Sequence, residues 1–167
     1  MPEKGDKEAL EKAREDVAEG KAPTTAAGEF VREEIHHVRE GQHGARSPKQ
    51  AIAIGLSKAR RAGVKLPPPA TGKVSPEVKR KAEQDIARGR KHKRPSSRRS
   101  RATAAALRRE PRGTASRRAL SKQALTAAAR RSASERSRAA KEASATKGPG
   151  RRSAAARKAA RTRKGRA

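Results

Sequence analysis

Ser47-Pro48-Lys49-Gln50-Ala51-Ile52-Ala53-Ile54-Gly55-Leu56-Ser57-Lys58-Ala59-Arg60-Arg61-Ala62-Gly63 reads as one helix with both of its ends written in. Ser47 offers a side-chain acceptor to the first orphan amides. Pro48 has the φ of a first helical residue, and Gln50 stands where a capping box closes. Gly63 supplies the left-handed residue that stops the helix, with Val64 placed to fold back on Ala59. At roughly 100° per residue, Ile52, Gly55, Leu56 and Ala59 share one side. Lys49, Gln50, Ser57, Lys58, Arg60 and Arg61 cover the other, and Ile54 falls among them as an isolated apolar residue. Gly55 costs about 1 kcal/mol against alanine inside a helix, which a close helix crossing would explain.

Similar punctuation continues on both sides. Towards the N-terminus, Asp6 is a cap, Leu10, Ala13 and Val17 fall on one face, and Gly20 ends the helix. A second helix starts near Thr24 or Thr25, carries a Val31, Ile35 and Val38 stripe with Phe30 at its edge, and stops at Gly41. Towards the C-terminus, Leu66 leads into Pro67-Pro68-Pro69, a stiff extended spacer. Ser75-Pro76 then opens a fourth helix with Val78, Ala82 and Ile86 on one face and Gly89 at its end, followed by the basic run Arg90-Lys91-His92-Lys93-Arg94. The predicted class is all-α, with a three-helix head over 1–66, a spacer over 67–74, a helix and basic run over 75–94, and a tail over 95–167. The predicted core is Leu10, Val17, Phe30, Val31, Ile35, Val38, Ile52, Leu56, Val64 and Leu66. The connection from Gly41 to Arg46 is longer than a helix-turn-helix allows and favours a plain αα-hairpin.

Charge is divided unevenly. Residues 1–45 are net −4, residues 46–94 net +12, and residues 95–167 carry 23 Lys or Arg against three acids, a net of +20. Within that last stretch the large apolar residues are Leu107, Leu120 and Leu125. So little apolar surface cannot offset chain entropy, which predicts a tail that is disordered or only conditionally helical. A polycation of this kind neutralises phosphates and releases their counterions. The formal charge of +28 and pI near 11.8 favour a polyanionic partner.

Other chemistry finds little footing. Cysteine is absent, which removes disulfides and thiolate metal sites. No apolar run is long enough to span a bilayer, and the acidic N-terminus lacks the h-region of a secretory signal. Phosphate-cradling glycine loops and nucleophile elbows are missing. Glu33/His36, Glu34/His37 and Glu40/His43 each show the Glu-x-x-His spacing of di-iron bundles. In so charged a segment they read as a solvated helix face. No catalytic residue, metal, cofactor, membrane or small-molecule substrate is predicted, and the protein is not expected to be an enzyme.

Two stretches carry a resemblance. Gly28-Glu29-Phe30-Val31-Arg32-Glu33-Glu34-Ile35, followed by the helix from Ser47 to Gly63, resembles a family of small, basic, uncharacterised bacterial proteins over roughly residues 20–69. The specific part is Lys-Gln-Ala-Ile-Ala-Ile running into Ala-Arg-x-Ala-Gly. The resemblance implies a bacterial cytoplasmic origin and no activity. The Ala/Arg/Lys/Ser tail is similar in composition to the tails of linker-histone-like bacterial proteins, although richer in arginine.

The expectation is therefore sequence-independent DNA binding at the nucleoid, with RNA or ribosome association, or a non-catalytic stress-protectant or scaffold role, as alternatives. The tail has no aromatic residue for base stacking, so contacts fall on phosphates, which position without specifying. The candidate residues are Arg98, Arg99, Arg101, Arg108, Arg109, Arg117, Arg118, Lys122, Arg130, Arg131, Arg136, Arg138, Arg151, Arg152, Arg157, Lys158, Arg161, Arg163 and Lys164. Lys58, Arg60 and Arg61 form a second group.

Overall fold

The computed structural model describes residues 4–91 and 96–164. The described elements are α1 (Lys4–Ala18), α2 (Pro23–Glu40), α3 (Pro48–Arg61), α4 (Pro76–Lys91), α5 (Ser97–Arg108), a 3-10 turn (Gly113–Ala115), α6 (Arg117–Ala129) and α7 (Ala133–Lys164). The chain divides into two compact units, Met1–Gln123 and Ala124–Ala167.

Several helix ends in the first unit follow the residues that predicted them, although α1 starts two residues before Asp6 and α2 starts at Pro23 with no side-chain cap. Ser47 Oγ accepts from Gln50 N at 3.2 Å, while Gln50 Oε1 accepts from Arg46 N, one residue earlier than a capping box requires. α3 closes with Gly63 at φ +94°, Gly63 N on Arg60 O and Val64 N on Ala59 O, the paired bonds of a Schellman motif. The same pairing ends α1 at Gly20 and α2 at Gly41.

α2 packs on both α1 and α3, and α4 packs on α3. The core is built mainly of alanine: Ala9, Ala13, Ala26, Ala27 and Ala59 surround Phe30 and Leu66. Small residues let helices approach closely, and Gly55 is a clear case, since a Cβ there would lie 2.6 Å from Val31 Cα. The expected stripe on α1 is rotated. Ala9, Ala13 and Asp16 are buried, whereas Val17 is 54% exposed. Val78 is likewise 51% exposed, and α4 instead buries Ala82, Asp85 and Gly89. Gly89 does not end α4. It lies inside the helix, and a Cβ on it would collide with the Arg60 carbonyl.

α2 is rotated too, and its one aromatic residue explains the change. Phe30 is 2% exposed rather than at the edge. Turning it inward carries positions four and seven residues later to the same side, so Glu34 and His37 become fully buried, while Val31 and Ile35 are only half-buried. The solvated-face reading holds for His36 and Glu40, whose side chains are 58% and 50% exposed, and fails for Glu34 and His37. Buried charge needs compensation. Lys58 Nζ from α3 stands 3.1 Å from Glu34 Oε2 and 2.9 Å from Asp6 Oδ1 of α1, a clamp across three helices. Asp85 on α4 is held in the same way by Ser57 Oγ at 2.6 Å.

The segment after Pro95 departs from the disordered tail of the sequence reading. Ser96 caps α5 by accepting from Arg99 N. Residues 107–115 then dock on the connection between α2 and α3. Gly44 N donates to Leu107 O and Ala45 N to Pro111 O, Thr114 Oγ1 donates to Ala45 O, and Arg39 Nε donates to Ala115 O at 2.8 Å. Ala115 is fully buried with Val38, Ala45 and Ala51. Counting large apolar residues misses this attachment, because it rests on hydrogen bonds to backbone carbonyls and one methyl group. In the second unit, α7 has a break at Gly148 (φ +66°) followed by Pro149 inside the helix. Among the described residues no helix is long and apolar enough to cross a membrane.

Candidate nucleic-acid interface

Arg98, Arg99 and Arg101 project from α5, whose residues are none of them buried. Arg108 and Arg109 end it, and Arg117, Arg118 and Lys122 lie on α6. Arg130 and Arg131 occupy the α6–α7 connection, and Arg136, Arg138, Arg152, Arg157, Arg161 and Arg163 lie on α7. All of these side chains are exposed. The side chains of Arg151, Lys158 and Lys164 lie outside the described residues, as do His92, Lys93 and Arg94 of the basic run.

Two of these arginines are held locally. Arg136 Nη1 donates to Arg131 O at 2.7 Å, and Arg152 donates to Gly148 O and Ser144 Oγ across the α7 break. These contacts use neutral oxygens, so the charges stay uncompensated and face solvent. α7 spreads alanine and cations over its whole circumference and presents no apolar side. A helix polar all round has no reason to pack against an apolar core. An α-helix of that width fits the major groove of B-form DNA, where arginine forks can grip phosphates on the groove walls in pairs.

The second group of candidates is placed differently. Lys58 is engaged with Glu34 and Asp6. Burial pulls its ammonium down, and the charges of Glu34 and Asp6 more than reverse this, leaving the group above its ordinary value. Arg60 is 9% exposed and donates to Pro67 O at 3.3 Å. Its burial lowers the guanidinium pKa, against the pull of Asp85. Of the three, Arg61 alone is exposed, with Nε donating to Ser57 O at 3.3 Å. Sequence spacing puts all three on the polar side of α3, and nothing local reveals that acids on α1 and α2 hold Lys58 or that Arg60 turns in to the Pro67 carbonyl.

The arrangement thus offers a long series of exposed cations on helices and connections, with no aromatic residue in the tail. Contacts from such cations to phosphates position a polyanion without specifying its sequence. No curated protein and no solved structure matches this chain. Residues 22–70, which span α2, α3 and the start of the proline spacer, match a family of unknown function, DUF6496.

Proposed function

We propose that the protein binds duplex DNA without sequence preference, through the arginines of residues 97–164, and so organises or compacts the nucleoid. The observation that carries this reading is that every described candidate in the tail is solvent-exposed, on helices that bury almost nothing. A net charge of +20 over residues 95–167 gives the counterion-release term that drives such binding. Arginine outnumbers lysine there, which favours paired phosphate contacts and insertion into narrow minor grooves. In the head, Glu34 and Asp6 already hold Lys58, and Arg60 is buried.

The test is fluorescence anisotropy of labelled duplexes of unrelated sequence across a salt series. Affinities should agree between sequences, and log K should fall against log salt with a slope near −9 if about ten phosphates are neutralised. Replacing Arg130, Arg131, Arg136 and Arg138 by glutamine should reduce the slope by about 3 to 4. Preference for structured RNA in competition at fixed salt would move the assignment to RNA or the ribosome. Absence of binding at physiological salt would leave the non-catalytic scaffold role.

A further inference from the structure

The buried polar group at the α2–α3 connection has a charge pattern that its visible neighbours leave incomplete. His43 Nδ1 lies 3.0 Å from Gly44 O. A carbonyl oxygen only accepts, so Nδ1 is the donor there and Nε2 faces Glu34. Nε2 lies 3.3 Å from Glu34 Oε1, an oxygen of a carboxylate with no exposed surface. A carboxylate so deeply buried needs positive charge beside both of its oxygens. Among the described residues, neither Glu34 oxygen accepts a hydrogen bond of good geometry. Lys58 approaches the other oxygen, Oε2, at 3.1 Å and leaves Oε1 to the histidine.

We propose that Glu34, His37 and His43 bind one divalent ion of the zinc class. Their ligand atoms lie within 4.8 Å of one another. A tetrahedral ion with ligands about 2.1 Å away holds them about 3.4 Å apart. The Glu34–His43 pair is already at 3.3 Å, and a small side-chain rotation closes the rest. Two imidazoles with one carboxylate suit zinc or its neighbours and disfavour magnesium and calcium. Glu33 Oε1, 3.0 Å from His37 Nε2, supplies the carboxylate that metal-binding histidines commonly lean on.

The charge count agrees. Among the described residues, the carboxylates of Asp6, Glu33 and Glu34 outnumber the ammonium of Lys58 that reaches them. A cleft bounded by Glu8, Glu33, His36, His37 and Glu40 borders the cluster at His37. Its acidic mouth draws cations in, and its water fills the fourth coordination position.

The test uses the tag-free full chain dialysed against Co2+ and then against Zn2+. One ion per chain should remain, with the visible absorption of four-coordinate cobalt, and zinc should abolish that absorption. His43→Ala should weaken binding more than about tenfold, whereas His36→Ala on the exposed face should leave it unchanged. Should His43→Ala lose its helical circular dichroism, Glu33→Gln decides instead, with an expected loss of about tenfold. No retained ion in the wild type overturns the proposal and assigns the bridging cation as a proton. Retention that neither His43→Ala nor Glu33→Gln reduces overturns it as well.

Discussion

α3 and α7 are written in nearly the same alphabet of alanine, arginine, lysine and serine, yet α3 is a core helix and α7 buries nothing of note. The difference lies in spacing and in opposing charge. α3 places Ala51, Gly55 and Ala59 four residues apart, so small residues form one continuous strip on which α2 lies down. Its cation Lys58 is drawn inward because Glu34 and Asp6 wait there, and Arg60 lies against the Pro67 carbonyl. α7 has more alanines, yet none of its described residues is buried, and Glu135 and Glu142 are the acids set among its many cations. Alanine and arginine therefore make a helix in either context. They make a core only when the small residues recur at helical period and buried acids answer the cations.

The sharpest way to break this contrast is to remove the answering charge. Lys58→Met leaves Glu34 buried and uncompensated, which should cost about 3 to 5 kcal/mol in urea unfolding. A Glu34→Gln change in the same chain should recover part of that loss. The pH dependence has a definite sign. The folded-state pKa of Lys58 is raised above its ordinary 10.5, so its contribution is present in full below that value. It is lost as pH climbs through the higher folded-state pKa, seen as alkaline loss of helical circular dichroism that Lys58→Met no longer shows.

Next in size is the small-residue strip. Gly55→Leu forces a side chain into the Val31 backbone and should destabilise by roughly 1 to 3 kcal/mol in thermal unfolding. Ala115→Asp probes the docked segment 107–115 by placing a carboxylate among Val38, Ala45 and Ala51. The expected cost is about 1 to 3 kcal/mol, together with faster amide exchange at Gly44 and Ala45. Gly28→Ala, where a Cβ meets nothing within 4 Å, should stabilise α2 by about 0.5 to 1 kcal/mol. The smallest effect belongs to α7. Arg157→Gln with Arg161→Gln should change stability by no more than about 0.5 kcal/mol while lowering DNA affinity at low salt.

Much of the head was legible because its signals are local. Ser47, Pro48 and Gly63 act on their own backbone, and Gly20 and Gly41 end their helices wherever those helices lie. Gly89 broke the pattern. The same residue type serves as a stop or as a place of close approach, and the choice depends on whether Arg60 O stands opposite. Val17 was misassigned to the core because a stripe of larger apolar residues is the usual guide, whereas here alanines occupy the interior. The tail cations were legible as exposed because nothing in the composition could cover them. Lys58 and Arg60 were not, since their partners lie on other helices.

Composition and spacing alone thus determined an all-helical class, most helix ends in the head, and the cationic character of residues 95–167, because each follows from residue type and near neighbours. The tertiary structure decided which face of each helix turns inward, through the burial of Phe30, and with it the convergence of Glu34, His37 and His43. It also decided the attachment of residues 107–115 to the α2–α3 connection. Those outcomes depend on distances between residues remote in sequence, where one backbone oxygen or one buried acid outweighs any local preference.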